Sequence, residues 1–413
     1  MSSVSAFIAQ IFKTYFNRML AMCFIVGTTV IVSRTLGPEG RGWVATATTL
    51  AGIGTILGSL GLPQINAYFG AKEPEQRPAL LGNSLLISAL VTLLLGGLFW
   101  LGRTLAPQFF LLPGAFLPLA VLYAGLQLLL TLLQQLMVGM DLVRQYNVTE
   151  LVQRGLALAF VATLAYMGRT DPALYFALSA VAFIPVIVWG TRLCHLRTAA
   201  RPRLSLPLMR RTAAYSTRLY LIALCCNLFM GLDILLTQTY LGVEQAGIYS
   251  IAASMRQMLL VFTLVVQTLL LPRLAKLKEY NQRWSASWRF AFFALAGTLV
   301  ISGGTLLMAK PLVGLLFGKS FLPATTALMW MLPGYVIYSC AGVIAVLLQV
   351  EGQPWYSVLP MVLALVGEAI GGILCLTPYG LTGGALAYSS GCLVYLIAQV
   401  AVTWWNKLRR NHP

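Results

Sequence analysis

Long apolar segments cover almost the whole sequence, and they constrain the fold more than any other feature. A membrane-spanning helix needs roughly 20 consecutive apolar residues, and about twelve such runs follow one another along the 413-residue chain. Their approximate expected limits are 12–36, 43–70, 79–102, 107–138, 147–168, 172–193, 213–241, 246–271, 286–308, 324–349, 355–376 and 381–405. Only 9% of the residues are charged and 59% are hydrophobic, which excludes a water-soluble domain of this length. The expected fold class is therefore an all-α polytopic membrane protein, in which the first run is a retained helix.

A short glycine-containing pattern occurs twice, at positions about half a chain length apart. Segment 36–42 reads LGPEGRG and segment 241–247 reads LGVEQAG, so both fit L-G-x-E-x-x-G. We expect each copy to form a tight outer turn, because glycine permits positive φ and Pro38 stops the preceding helix. The next helix is expected to begin just after Gly42 or Gly247.

The repeated pattern predicts a chain made of two similar halves. Membrane transporters are commonly built from two such repeats. We therefore predict two pseudo-symmetric six-helix bundles around a central cavity, with a bundle at 1–195, a basic linker at 196–212 and a bundle at 213–413. Prolines at or near the spans are candidate bends, and they are Pro63, Pro185, Pro272, Pro333 and Pro360.

Lysine and arginine are distributed unevenly between the two sets of loops. With the N-terminus inside, about 18 of the 28 cations lie on cytoplasmic segments, about 6 lie outside and about 4 lie within spans. Both termini are therefore predicted to be cytoplasmic. The net charge of +17 does not indicate a nucleic-acid partner, because topology and anionic membrane lipids account for the basic clusters.

Arginines inside or beside the spans are the main candidates for a binding site. An intramembrane cation costs about 2.5–3.5 kcal/mol unless it faces a wet cavity or a partner. From the predicted inner side to the outer side, the candidates are Arg18, Arg154, Arg218, Arg256 and Arg34. If they face one another, they line a cavity with cationic steps. Snorkelling to the interface is the alternative for those near a helix end, whereas Arg256 lies too deep and shares a helical face with Gln267.

The acidic residues within the spans raise the same question with the opposite sign. Asp233 lies toward the outer third of the seventh span, and Glu368 lies in the middle of the eleventh. Either one is a candidate to carry a coupling proton or to bind a cation, and the alternative is that each neutralises a buried arginine. Glu150 and Arg154 are four residues apart on the fifth span, so a local ion pair is expected there.

The sequence contains no recognisable catalytic or metal-binding constellation. Seven cysteines lie mostly in apolar runs without CxxC spacing, and both histidines lie in basic segments without nearby ligands. GxSxG, HExxH and phosphate-binding Walker patterns are absent from the sequence. We expect neither an enzyme, nor a metal site, nor a cofactor.

Two longer stretches resemble a known family. Segment 28–64, TTVIVSRTLGPEGRGWVATATTLAGIGTILGSLGLPQ, resembles the N-terminal region of the Wzx-type polysaccharide flippases of the multidrug/oligosaccharidyl-lipid/polysaccharide (MOP) exporter superfamily. Segment 232–255, LDILLTQTYLGVEQAGIYSIAASM, resembles the seventh and eighth helices of that family, including the acidic residue at Asp233. The resemblance covers essentially the whole chain in helix number and repeat, and it implies a MOP/MATE-like fold.

The resemblance implies translocation of an undecaprenyl-pyrophosphate-linked oligosaccharide to the outer leaflet of the bacterial inner (cytoplasmic) membrane, for cell-surface polysaccharide such as lipopolysaccharide. Arginine holds phosphate bidentately, so the cationic steps suit such a cargo. The partners expected are this lipid-linked oligosaccharide, membrane lipids and a coupling H⁺ or Na⁺.

Two alternatives of other kinds remain open at this point. A multidrug/cation antiporter of the same superfamily carries cationic cargo, which a cavity dominated by arginine would repel. A membrane-embedded enzyme of glycan assembly would normally present acidic residues on a sizeable extramembrane loop, and the sequence leaves little room for one.

Overall fold

The computed structural model describes residues 2–105, 107, 112–198 and 201–411, and the side chains of these residues except 2–16, 18, 210, 212–219, 354 and 411. The helices are α1 (Ser2–Ser59), α2 (Leu62–Lys72), α3 (Arg77–Leu105), α4 (Phe116–Gly139), α5 (Val143–Tyr166), α6 (Pro172–Val181), α7 (Phe183–Thr198), α8 (Leu206–Leu241), α9 (Val243–Lys276), α10 (Tyr280–Leu316), α11 (Pro323–Val350), α12 (Val358–Tyr379) and α13 (Leu381–Asn411). Across the described ranges the ordered elements are all helical, which confirms the predicted fold class.

The two L-G-x-E-x-x-G copies form turns with the same backbone conformation. Gly37 interrupts α1 with φ 67° and ψ −172°, and Gly242 precedes α9 with φ 87° and ψ 173°. Positive φ at both glycines is confirmed, but the expected helix starts after Gly42 and Gly247 are wrong. One glycine is sufficient for the change of direction, so the following residue is already helical. Pro38 therefore lies in the first turn of the next helical segment, where its missing N–H has no intrahelical partner to lose.

The number of spans agrees with the sequence. In the described part of the chain, eleven helices are long and apolar enough to cross a membrane. The first of these runs from Met19 to Ser59 and is divided at Gly37, so it contains two of the predicted spans. The chain is therefore a multi-pass membrane protein with about twelve spans, as its apolar runs indicate.

Several predicted spans are interrupted or shifted. The second is broken at Leu60 and Gly61, which have φ values of 46° and 74°, and the sixth is broken at Ala182, three residues before Pro185. The helix of the fourth predicted span begins at Phe116 rather than at 107, and residues 112–115 before it lie outside any helix. By contrast, Pro272 and Pro333 lie inside continuous helices.

The chain divides into two compact units, Met1–Tyr220 and Leu221–Pro413, named here the N-terminal and C-terminal units. Within the N-terminal unit, α4 packs against α1, α2, α3 and α7. Within the C-terminal unit, α11 packs against α9, α10 and α13. Both α4 and α11 are the fourth span of their half, which is what an internal repeat predicts. The predicted central cavity stays a prediction.

The boundary between the units lies inside α8, because the linker and the start of α8 pack on the N-terminal unit. Asn83 binds the linker backbone twice, accepting from Ser205 N at 3.0 Å and donating to Ser205 O at 3.1 Å. Arg211 makes a bidentate ion pair with Glu73, at 2.9 and 3.2 Å. The segment predicted as a basic linker, 196–212, therefore includes the end of α7, about the first two turns of α8 and a stretch held against α3.

Candidate functional site

Three ionisable side chains meet in the interior of the C-terminal unit. Asp233 comes from α8, Arg256 from α9 and Glu368 from α12, and their exposed fractions are 1%, 0% and 0%. Burial of one guanidinium and two carboxyls is expensive unless the charges compensate one another. This set, named here the buried charge cluster, is the candidate functional site.

The α8–α9 hairpin explains why Asp233 and Arg256 meet. Counted from the turn at Gly242, Asp233 lies about 13 Å along α8 and Arg256 about 21 Å along α9, at a rise of about 1.5 Å per residue. Helical side chains point toward the N-terminus of their helix, so Arg256 extends back toward the turn while Asp233 extends away from it. The two side chains therefore cover the difference of about 8 Å between them.

Arg256 and Asp233 form a fully buried ion pair. Arg256 Nη1 donates to Asp233 Oδ2 at 2.5 Å, and Tyr249 OH donates to the same oxygen at 3.0 Å. Arg256 Nη2 donates weakly to the carbonyl oxygen of Met230 at 3.4 Å. Asp233 thus neutralises a buried arginine in this conformation, which is one of the two alternatives that the sequence leaves open.

Aromatic rings and close helix contacts enclose the pair. The guanidinium carbon of Arg256 lies 3.9 Å from the centroid of the Tyr388 ring on α13, a cation–π contact in a desolvated position. A Cβ added to Gly384 would lie 2.9 Å from Tyr249, and one added to Gly391 would lie 2.9 Å from Glu368 Cβ. These two glycines let α13 approach closely enough to close the cluster on one side.

Glu368 differs from Asp233 because its carboxyl has no hydrogen-bond partner. Both of its oxygens are buried, and neither has a partner among the described residues. The carboxyl nevertheless lies within electrostatic range of Asp233 and Arg256. A buried carboxylate without hydrogen bonds is costly, so this position calls for a proton or a cation.

The charge count of the cluster defines what it can do chemically. With both carboxyls ionised, the cluster carries a net charge of −1 in an interior closed to solvent. Uptake of one proton or one monovalent cation makes it neutral, and loss of that ion makes it charged again. The arrangement can therefore convert binding of a single ion into a change in the energy of helix packing.

The N-terminal unit holds Arg154 in a different environment. Its Nε atom is buried without a hydrogen-bond partner among the described residues. The expected ion pair between Glu150 and Arg154 is wrong, because none of the ion pairs in the described part joins them. Spacing of four residues brings two side chains to one helix face, but their rotamers decide whether they meet.

The other residues predicted to bind cargo are Arg34, Arg18 and Arg218. Arg34 is exposed and lies three residues before the Gly37 turn. The side chains of Arg18 and Arg218 lie outside the described residues. Their predicted role in binding cargo, like that of Arg154, Arg256 and Arg34, stays a prediction.

Beyond Arg256, the predicted polar face of α9 is directed toward α11. Thr263 lies between Arg256 and Gln267 along this face, and its hydroxyl is 2.6 Å from that of Ser339. Gln267 packs directly against Gly342. The stripe therefore continues from the buried charge cluster along a helix–helix contact within the C-terminal unit.

Sequence reasoning missed the tyrosines of the cluster. Tyr249 lies in the Gly247–Ser250 segment that carries the family resemblance, so its position in a motif was a usable signal. Tyr388 had no comparable signal, because an aromatic residue in an apolar helix usually packs in the core.

The sequence matches one family model, described as polysaccharide biosynthesis protein, over residues 31–326. The matched range includes both glycine turns and the Arg256–Asp233 pair, and it ends before Glu368. No curated protein sequence matches the chain.

Solved transporter structures share the fold over nearly the whole chain. An inward-facing multidrug resistance MATE family transporter of the MOP superfamily has a TM-score of 0.73 at 14% identity and covers 94% of both chains. The lipid II flippase MurJ, in an inward closed conformation, has a TM-score of 0.68 at 13% identity and covers 95% of this chain and 87% of its own. A point mutant of the Vibrio cholerae MATE transporter VcmN has a TM-score of 0.67 at 16% identity and covers 99% of both chains. At these identities the similarity shows the fold alone.

Proposed function

The chain belongs to the polysaccharide biosynthesis protein family and has the fold of MOP superfamily transporters, and we propose that it is a lipid-linked oligosaccharide flippase. Its cargo is an undecaprenyl-pyrophosphate-linked oligosaccharide, which it moves from the inner to the outer leaflet for cell-surface polysaccharide synthesis. The family match over residues 31–326 is the observation that carries this proposal. The shared fold with a lipid II flippase supports a lipid-linked cargo. The proposed activity is transport rather than catalysis.

The proposed location is the bacterial cytoplasmic membrane, with both termini in the cytoplasm. The excess of lysine and arginine on one set of loops supports this orientation. Labelling of single cysteines, placed in successive loops of a cysteine-free variant, with a membrane-impermeant maleimide on intact cells tests it. Labelling of loops such as 277–279, between α9 and α10, from outside would contradict the orientation.

The cationic residues are proposed to hold the pyrophosphate during transit. Arg154 is the strongest described candidate, because its buried Nε lacks the hydrogen-bond partner that a phosphate oxygen would supply and, unlike Arg256, it forms no ion pair with a described carboxylate. Arg256 is held by Asp233 in this conformation and is closed to solvent. For Arg256 to bind cargo, the helices must move and a phosphate must replace the carboxylate of Asp233. Alternating access supplies such a movement.

The buried charge cluster is the proposed coupling element. Glu368 takes up H⁺ or Na⁺ from one side of the membrane. Binding of the ion neutralises the carboxylate of Glu368, which weakens its attraction to Arg256 and leaves Arg256 paired with Asp233. The unpartnered carboxyl of Glu368 beside the Arg256–Asp233 pair supports this assignment. Glu368 is thus the primary coupling site, and Asp233 sets the position of Arg256.

Complementation of a strain that lacks its own flippase tests the proposal. We expect Arg154→Ala and Arg256→Ala to reduce surface polysaccharide at verified expression, and Arg154→Lys to retain part of the activity because it keeps the charge. Lys310→Ala is the matched control, because Lys310 is exposed near the far end of α10. Wild-type output from both arginine variants would remove the cationic binding mechanism, whereas failure of the wild-type gene to complement with any cognate glycan would count against the flippase itself.

A multidrug/cation antiporter is the second candidate function. The shared fold with MATE family transporters and the two buried carboxyls favour it. Deletion of the gene followed by drug-susceptibility profiling separates the two functions. Sensitisation to cationic drugs with unchanged surface polysaccharide would favour the antiporter.

A further inference from the structure

One end of α10 carries an open groove lined by both aromatic and cationic side chains. Its lining residues are Trp284, Ser285, Trp288, Arg289 and Phe292, and its volume is about 520 Å³. Trp284, Trp288 and Phe292 are four residues apart, as are Ser285 and Arg289, so the five side chains form one stripe on the helix. The groove lies entirely within the C-terminal unit and away from the buried charge cluster.

The groove changes from polar to apolar along the helix axis. Ser285 and Arg289 are exposed and lie within about 14 Å of the helix start at Tyr280. Phe292, further into the helix, is 72% exposed although it belongs to a span. A lipid that places its head group at the helix end and its acyl chain along Phe292 matches this change from polar to apolar lining.

Aromatic and cationic side chains from α13 pack against Trp284, which lines the groove. The ring of Trp284 lies 5.8 Å from that of Trp404 and 5.9 Å from that of Trp288. Lys407 Nζ lies 4.5 Å from the Trp284 ring centroid. Tryptophan is enriched where membrane proteins meet the lipid head groups, so this end of the unit lies at the interface.

The cations of this end are not all compensated by protein carboxylates. Glu351 accepts ion pairs from Arg283 at 2.7 Å and from Arg410 at 2.6 Å, so its charge is already shared between two guanidinium groups. Arg289 and Lys407 form no ion pair with any described carboxylate. The groove therefore combines the Ser285 hydroxyl, the uncompensated guanidinium of Arg289 and an apolar floor, and a second uncompensated cation, Lys407, lies beside Trp284.

We propose that this groove is a specific site for an anionic phospholipid. The phosphate binds Arg289 and the Ser285 hydroxyl, Lys407 adds to the positive potential around the phosphate, and the first acyl segments pack on Trp288 and Phe292. A zwitterionic phospholipid fits less well, because its own cationic group would face Arg289 and Lys407. The bound lipid anchors the end of α10 against α13.

Tryptophan quenching by brominated lipid tests the site directly. The full-length protein is reconstituted in phosphatidylcholine vesicles that contain brominated phosphatidylglycerol, with brominated phosphatidylcholine as the reference. The signal is the quenching that is lost in the Trp288→Phe variant, which isolates the groove from the other eight of the nine tryptophans. We expect brominated phosphatidylglycerol to be preferred over brominated phosphatidylcholine in the wild type.

Charge variants decide whether the groove causes the preference. We expect Arg289→Gln and Lys407→Gln each to reduce the preference about fivefold, from about 1 kcal/mol per basic residue near an anionic surface. Arg289→Lys should retain most of it, and Lys310→Gln, an exposed cation near the other end of α10, should leave it unchanged. Equal quenching by both brominated lipids in the wild type, or equal loss in Lys310→Gln, would overturn the proposal. Displacement of brominated phosphatidylglycerol by undecaprenyl pyrophosphate but not by unlabelled phosphatidylglycerol would also overturn it, because the groove would then belong to the cargo.

Discussion

Removal of one partner of the Arg256–Asp233 pair should destabilise the C-terminal unit far more than removal of both. The single changes are Arg256→Met and Asp233→Leu, which replace each side chain by an apolar one of similar length. Either change leaves an opposite charge buried without compensation. Breaking a buried ion pair in this way typically costs about 3–5 kcal/mol.

The contacts of Arg256 support a cost in that range. Its hydrogen bond to Asp233 at 2.5 Å is charge-assisted, and bonds of this kind contribute about 1.5–3 kcal/mol net. The contact with the Tyr388 ring at 3.9 Å adds about 2 kcal/mol in a desolvated position. Arg256→Met also leaves Glu368 beside a second uncompensated carboxyl, so we expect it to be the more damaging single change.

The double variant supplies the decisive comparison. With both Arg256→Met and Asp233→Leu present, neither charge of the pair remains, and apolar replacement of buried ion pairs is often neutral. We expect the double variant to be more stable than either single variant, with a coupling energy of about 3 kcal/mol or more. Tryptophan fluorescence during titration with sodium dodecyl sulfate in mixed micelles measures the free energy of unfolding. Additive losses in the double variant would refute the reasoning.

Three further changes probe the turn, the linker and the coupling site. Gly37→Ala should cost about 1–3 kcal/mol through its positive φ alone, since no other group lies within 4 Å of the added Cβ. Gly52→Ala inside the same helix has equally open space, so it should be neutral or slightly stabilising, and equal losses at both sites would contradict this reasoning. Asn83→Ala should cost about 1–3 kcal/mol because it leaves two linker backbone groups unpaired, whereas Glu73→Gln should cost less than about 1 kcal/mol because its ion pair is solvent-exposed. A larger unfolding loss for Glu73→Gln than for Asn83→Ala would reverse that ranking. Glu368→Gln should preserve the fold, since its carboxyl has no hydrogen bond to lose, while transport in proteoliposomes should no longer respond to an imposed H⁺ or Na⁺ gradient. A response equal to that of the wild type would exclude Glu368 as the coupling site.

The sequence alone determines the class, the number of spans and the places where the two halves turn. Burial in a bilayer needs a minimum apolar length, which can be counted directly along the chain. The turns at Gly37 and Gly242 can be predicted for a similar reason, because a positive φ is a local property that glycine adopts readily. Breaks in helices are harder to predict from the sequence. Pro272 and Pro333 both lie inside continuous helices, because contacts with neighbouring helices can compensate for the missing backbone hydrogen bond.

Only the tertiary structure decides which charged groups meet. Helical periodicity places Arg256 on the same face as Gln267, but it does not say that Asp233, Tyr388 and Glu368 occupy the space opposite. Those neighbours belong to three other helices, and their approach depends on packing at glycines far away in sequence. Arg154 and Glu150 show the converse. They are four residues apart on one helix, yet this favourable spacing does not produce an ion pair. Local sequence therefore defines each helix and its faces, and the contacts between helices define the site. The physical reason is that the energy of an ion pair depends on the distance between the two side chains in space, which their separation along the chain does not specify.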